Sequence, residues 1–176
     1  PDKALFLVID TCPVYCRYCT RSYAVGSDTN SVTKLNIDST PGTWALAFNY
    51  LRETPDIQDV LVSGGDCYNL APRLMDHIAN NLLEIEHLRR LRICTKGLAV
   101  NPGRIQEDDA WTKSVLRFAA LGRQRGKDVV IHTHINSAGE ITELTTSAMR
   151  LLFEAGVTVR NQSVLLRGVN NSAECM

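Results

Sequence analysis

Five short apolar runs alternate with longer stretches of helical periodicity along this chain, and that alternation restricts the fold more than any other feature. ALFLVI (4–9), DVLVS (59–63), LRICT (91–95), DVVIHTH (128–134) and VTVRNQSVLL (157–166) read as strands. Their near-continuous apolar character predicts burial on both faces, as in a parallel sheet. TPGTWALAFNYLRET (40–54) predicts a helix with Thr40 as N-cap and Pro41 at the first helical position. LAPRLMDHIANNLLEIE (70–86) sets Leu74, Ile78 and Leu82 on one face. A helix within 107–125 opens on Glu107, Asp108 and Asp109 and closes near Arg123 and Arg125, matching the macrodipole, before Gly126 stops it. The stretch 141–156 places Leu144, Met149, Leu151 and Leu152 near its apolar face and ends at Gly156. Such a series fits an open doubly wound sheet or an incomplete (β/α) barrel, and periodicity does not choose between them.

The length of 176 residues suits one domain over 1–176, with enough chain for a substantial core. Lys+Arg and Asp+Glu balance at 19 each, so no basic footprint points to nucleic acid or an anionic membrane. No apolar run approaches bilayer length and no signal-peptide pattern is visible, so the expected location is cytoplasmic, with reduced thiols. The chain opens without an initiator Met and stops at NNSAECM directly after a strand-like run. The expectation from those ends is a piece of a longer polypeptide.

In a parallel α/β fold, reactive groups collect at the C-terminal ends of the strands. Cys12, Cys16 and Cys19 follow the first strand with spacing C-x3-C-x2-C. Gly64, Gly65 and Asp66 follow the second, Thr95 and Lys96 the third, and His132, His134 and Asn136 end the fourth, while Gln162 lies in the fifth. Three thiolates are one short of a closed structural zinc site, whose fourth ligand would have to be a distant His or a cysteine such as Cys67 or Cys94. Ferredoxin-type clusters use four cysteines with other spacings. The spacing fits a [4Fe–4S] cluster with three irons held by protein and one free to bind a substrate group. A zinc site and an incidental run of cysteines are the competing readings.

The C-x3-C-x2-C motif, with the aromatic Tyr18 before its last cysteine, resembles the signature of the radical S-adenosylmethionine (SAM) superfamily. That resemblance implies a [4Fe–4S] cluster on Cys12, Cys16 and Cys19, with SAM chelating the free iron. It also implies a partial (β/α) barrel, α/β in class, of about five parallel strands with outer helices. SGGDC (63–67) is similar to the family's GGE-type motif, which gives Gly64, Gly65 and Asp66 the SAM amine. CRYCTR, VLVSGGD, HTHIN and NQSVLLRGVN together resemble the lysine 2,3-aminomutase branch, over about residues 5 to 171. By that resemblance Tyr18 lies near the adenine, Gln162 meets the ribose hydroxyls, His134 is near the cofactor and Arg21 holds the substrate carboxylate. The implied reaction is pyridoxal phosphate (PLP)-dependent 2,3-amino migration on lysine or a related amino acid. An external electron donor is implied too, and a homo-oligomer is compatible with it.

The sequence departs from the branch in several places. Cys67 stands where a proline usually follows GGD, SYAVG (22–26) replaces a run of arginines, and HINSAG (134–139) lacks a second histidine and a proline. The glycine-rich segment that carries the PLP lysine is absent from this chain, as are the aspartates that select a distal amine. Two alternatives follow: an enzyme of the same branch with PLP-independent chemistry, and a zinc-stabilised binding module without catalysis.

Overall fold

In the computed structural model, which describes residues 1–175, five parallel strands form one sheet in the order β1-β2-β3-β4-β5. The elements run β1 (Lys3–Ile9), α1 (Pro41–Glu53), β2 (Asp59–Gly64), α2 (Pro72–Leu83) and β3 (Arg90–Thr95). Then come α3 (Gly97–Val100), α4 (Ala110–Gln124), β4 (Asp128–Thr133), α5 (Glu143–Glu154) and β5 (Thr158–Asn161). A doubly wound sheet reverses its strand order at a switch point; here each strand pairs with the next in sequence. The fold is therefore a partial (β/α) barrel. No helix among the described residues is long and apolar enough to cross a membrane.

One face of the sheet carries the core. Phe6 and Val8 of β1, Val60 and Val62 of β2, Leu91 and Ile93 of β3, and Ile131 of β4 join a single apolar cluster with the helices. Trp44 and Phe48 of α1 meet Phe6 edge-on, at ring separations of 6.3 and 5.3 Å. From α4, Trp111 is fully buried and its indole N–H donates to the Cys67 carbonyl at 2.9 Å.

The opposite face departs from the expected double burial. Along β3, Arg90, Arg92 and Cys94 alternate with the buried Leu91, Ile93 and Thr95, so this strand has period two. Charges on this face are accommodated by pairing. The Arg92 guanidinium grips the Asp59 carboxylate with both Nε and Nη2, the former at 2.8 Å, and Arg90 Nε donates to Asp128 at 2.9 Å.

Helix ends follow local chemistry more closely than the periodic pattern did. Thr40 caps α1 as expected, accepting from the Thr43 amide, with Pro41 opening the helix. Helix α4 starts later than 107: Asp109 is its N-cap and accepts from the Thr112 amide at 2.8 Å, leaving Glu107 and Asp108 outside. At the other end, Arg123 reaches away from its own helix to the carbonyls of Gly156 (2.6 Å) and Ala155 (3.2 Å), closing α5. Gly126 and Gly156 both have positive φ, 68° and 73°, as helix-terminating glycines should. Leu144 lies in the first turn of α5 but is exposed; Ala148 and Leu152 supply that helix's buried face.

The fifth strand stops at Asn161, short of the expected 166. The Asn161 side chain accepts from the Ile135 amide and donates to the Ile135 carbonyl, both at 2.9 Å, and so replaces ladder bonds with side-chain ones. Gln162 consequently lies just beyond the strand.

At the N-terminal end of the strands, Lys127 is buried and its ammonium donates to the carbonyls of Ile85 (2.6 Å), Leu88 (2.8 Å) and Glu86 (3.3 Å). This ties the turn after α2 to the start of β4. Lys127→Met keeps the stem but strands those carbonyls, and should lower stability by about 2 kcal/mol in urea titration. An unchanged midpoint would show that the ammonium adds no net stability.

Candidate functional site

The loop after β1 approaches the end of β2 through two backbone contacts. The Gly65 amide donates to the Ile9 carbonyl at 2.6 Å, and the Asp66 amide to the Thr11 carbonyl at 2.9 Å. A Cβ at Gly64 would lie 2.2 Å from the Ile9 oxygen, and one at Gly65 2.2 Å from the Thr11 oxygen. Gly64 also has φ +113°, a conformation that side chains avoid. The glycines thus admit the close approach of the cysteine loop's backbone. The loop then closes on itself: the Cys19 amide donates to the Cys16 carbonyl at 3.1 Å, and the Gly26 amide returns to Asp10 at 2.8 Å. Buried Ala24 and Val25 anchor its far end.

At the C-terminal edge of the sheet these elements enclose a cavity of about 260 Å³. Its lining includes Cys12, Cys16, Tyr18, Cys19 and Arg21 from the cysteine loop, Gly64, Gly65 and Asp66 from the end of β2, and His134 and Gln162 from beyond β4 and β5. Each residue to which the resemblance gives a site role therefore reaches one cavity, whereas Asn136 and Cys67 do not line it. Leu61, Ser63, Cys94 and His132, pointing from the strands, also line it. A second cavity of about 420 Å³ lies against the same three cysteines and runs toward Val25 and Lys34.

The three thiols are half-buried and free, with no disulfide among the described residues. Burial, followed by the Asp66 carboxylate and the other two thiols, pushes Cys12 up to about 12. A metal must therefore displace a proton there. Among the described residues, no group of three His, Cys, Asp or Glu is gathered to hold a single metal ion. A cuboidal cluster makes a different demand, one thiolate for each of three separate irons. Cys67, a conceivable fourth ligand for zinc, is fully buried in the core and donates to the Val62 carbonyl at 3.2 Å. The thiol that replaces the branch's proline is thus directed away from the cavity lining.

Asp66 is almost fully buried and both its oxygens are in use. One accepts from the Tyr68 amide at 2.8 Å and the other from the Lys96 amide at 2.7 Å, pinning the β2 turn to the end of β3. Burial raises its pKa against the opposing effect of those bonds and of Thr95. Arg21 contrasts with it: half-buried against the cavity, its guanidinium forms no ion pair among the described residues.

Asn136 links the two walls. Its Nδ2 donates to the Tyr18 hydroxyl and lies 3.3 Å from His134 Nε2, while its Oδ1 accepts from the Val164 amide at 2.8 Å. His134 Nδ1 is 2.5 Å from the Gln162 carbonyl, which fixes the donor at Nδ1 and the acceptor at Nε2. The Tyr18 and His134 rings are 5.6 Å apart, so His134 offers a ligand its ring rather than a free nitrogen. Glu140 joins in by accepting from the Asn136 amide at 3.0 Å and pairing with Lys96, whose ammonium also donates to the His134 carbonyl at 2.8 Å. Burial opposes the charge on Glu140, but Lys96 holds its pKa below the usual range. Strand position placed Asn136 at this face, yet no sequence signal marked it as the connector.

No family model matches the chain. Over all 176 residues it is 38% identical to L-lysine 2,3-aminomutase of Clostridium subterminale, covering 38% of that protein. It is 37% identical to L-lysine 2,3-aminomutase of Bacillus subtilis (strain 168), again over the whole chain and 34% of the relative. Glutamate 2,3-aminomutase of Clostridioides difficile (strain 630) is 33% identical over 97% of the chain and 36% of the relative. The chain spans a little over a third of the length of these relatives.

The contact between Gly65 and Thr11 generates a direct test. Gly65→Ala drives a methyl group into backbone that cannot give way, and should cost about 2–3 kcal/mol in denaturant titration while lowering iron uptake on anaerobic reconstitution. Gly42→Ala, in the open first turn of α1, should leave both unchanged. Equal behaviour of the two variants would contradict the close approach.

Proposed function

We propose that the chain, which is similar to lysine 2,3-aminomutases along the whole of its own length, is part of the core of a radical SAM enzyme of that kind. The observation that carries this reading is the convergence of the three cysteines, the Gly-Gly-Asp turn, Tyr18, His134 and Gln162 on one cavity. Cys12, Cys16 and Cys19 would hold a [4Fe–4S] cluster through one thiolate each. The thiols fit that group: they are unpaired, adjacent and share a cavity, and soft sulfur ligands favour iron–sulfur chemistry. When bound, the cluster and SAM supply a one-electron cleavage that yields the 5′-deoxyadenosyl radical.

The residues of the chain then have positioning roles. Oxygens of the 64–66 turn receive the SAM amine, and Asp66 additionally keeps that turn fixed against β3. Tyr18 and His134 present ring surface to the adenine, with Asn136 holding both in orientation. Gln162, whose carbonyl orients His134, offers its side-chain amide to the ribose. Arg21, which forms no ion pair among the described residues, takes the carboxylate of an amino acid substrate through its planar fork. On this reading the full enzyme moves an amino group between adjacent carbons of lysine or a related amino acid, using PLP held outside the residues described here and an external one-electron donor.

Anaerobic reconstitution with iron and sulfide tests the reading. The protein should take up about four irons and four sulfides per chain and, on reduction, convert SAM to 5′-deoxyadenosine and methionine. Cys12→Ala should lose both properties; retention of both would sink the ligand assignment. Uptake of zinc with no cluster would favour the non-catalytic module. Lack of a PLP absorbance band in the cluster-loaded enzyme would favour PLP-independent chemistry. Asn136→Ala should keep its iron but bind SAM about tenfold more weakly, the value of one to two hydrogen bonds, as read by equilibrium dialysis.

A further inference from the structure

Beyond the end of β4 the chain runs on through 134–136, and side chains hold its backbone there. Asn161 bonds both the amide and the carbonyl of Ile135, and Glu140 Oε1 accepts from the Asn136 amide at 3.0 Å. The Lys96 ammonium donates to the His134 carbonyl at 2.8 Å. Lys96 acts on this segment a second time, because the other oxygen of Glu140 is its ion-pair partner. Glu140 is itself moored to α5, where the Thr145 hydroxyl donates to its carbonyl at 3.4 Å.

The backbone of Lys96 makes a further attachment. Lys96 is the first residue after β3, and its amide donates to Asp66 Oδ2 at 2.7 Å, which joins it to the turn after β2. One residue is thus bonded to both sides of the cavity, by its amide to the 64–66 turn and by its ammonium to the side carrying His134. Lys96, Asp66, His134 and Tyr18 line the cavity, whereas Glu140 and Asn136 do not. Those two carry the connection on to Tyr18, whose hydroxyl accepts from Asn136 Nδ2. The Lys96 and Glu140 side chains are only 16% and 27% exposed, so water competes weakly for their contact, unlike that of a surface pair. Removing the ammonium would strand a shielded carboxylate and the His134 carbonyl together.

We infer that Lys96 is a positioning residue for the nucleoside half of SAM: its ammonium sets 134–136, and with it the His134 and Tyr18 rings, against the turn that receives the amine. This deepens the proposed function and rests on it, because those rings meet an adenine only if the cavity holds SAM. The bond to Asp66 comes from the main chain, so replacing the Lys96 side chain leaves that turn in place. The two halves of SAM should therefore respond differently.

Equilibrium dialysis of the cluster-loaded, unreduced protein against labelled 5′-deoxyadenosine and labelled L-methionine reads the two halves separately. Lys96→Met should weaken 5′-deoxyadenosine about tenfold, the value of one hydrogen bond to a charged group, while L-methionine binding and iron content stay as in the parent. Lys96→Arg, which keeps the charge and donors, should recover part of the loss. Glu140→Gln should also weaken 5′-deoxyadenosine, and the double variant should bind it no more weakly than Lys96→Met, since both act through one connection. Equal weakening of the two probes would show a general loosening of the fold and overturn the inference. Unchanged binding of 5′-deoxyadenosine by Lys96→Met would overturn it as well. If Lys96→Met loses its cluster, Glu140→Gln decides by the same comparison. A parent protein that holds neither cluster nor SAM fails the proposed function, and this inference with it. A parent that binds and cleaves SAM, with variants that show no split between the probes, overturns the inference alone.

Discussion

The backbone of the cysteine loop lies so close to the end of β2 that side chains at Gly64 and Gly65 would collide with the carbonyls of Ile9 and Thr11. Two backbone hydrogen bonds are made across that contact, and they fix where the loop leaves the sheet. Everything beyond depends on this departure point. It sets Cys12, Cys16 and Cys19 over the ends of the strands and aims Arg21 into the cavity. Asp66 extends the same brace to β3 through the amides of Tyr68 and Lys96. The carboxylate that the resemblance casts as a ligand is therefore also a structural pin.

The second wall is organised by side chains rather than by backbone. Asn136 reaches Tyr18 on the cysteine loop, His134 at the end of β4, and the Val164 amide beyond β5. Buried amides with all partners in place are costly to disturb, because each lost contact leaves a desolvated polar group behind. The cavity is thereby given a rigid aromatic side at Tyr18 and His134, while Arg21 keeps its guanidinium uncommitted. Rigid walls around an unpaired cation are what a small anionic ligand requires.

Much of this was legible in the sequence, for reasons that differ by element. The strands and helices were visible because apolar period and capping chemistry are local: Thr40 and Pro41 announce α1, and Gly126 and Gly156 end α4 and α5. The cysteine spacing was equally local, and it led to a family that the relatives support across the whole chain. Strand order was not legible in the periodicity, since pairing between β1 and β2 or β4 and β5 is a long-range outcome that either α/β topology could satisfy; the partial barrel implied by the family resemblance is the one observed. Nor was the concave face: the arginines of β3 looked like part of a buried strand until Asp59 and Asp128 were seen to pair with them. The overextended fifth strand has a similar cause. Apolar residues continue to Leu166, but Asn161 and Asn136 capture the backbone first. Leu144 misled for a simpler reason, as a helical first turn can satisfy a periodic pattern and still face solvent.

The account turns on one iron of the cluster being left open for SAM by a three-cysteine loop. Electron–nuclear double resonance on the reduced, reconstituted protein addresses that directly, with SAM carrying ¹⁵N in its amino group. The account predicts a ¹⁵N hyperfine coupling to the cluster that gives way to a ¹⁴N pattern with unlabelled SAM and is lost with amine-blocked SAM. A cluster spectrum indifferent to SAM, with no such coupling, would contradict it.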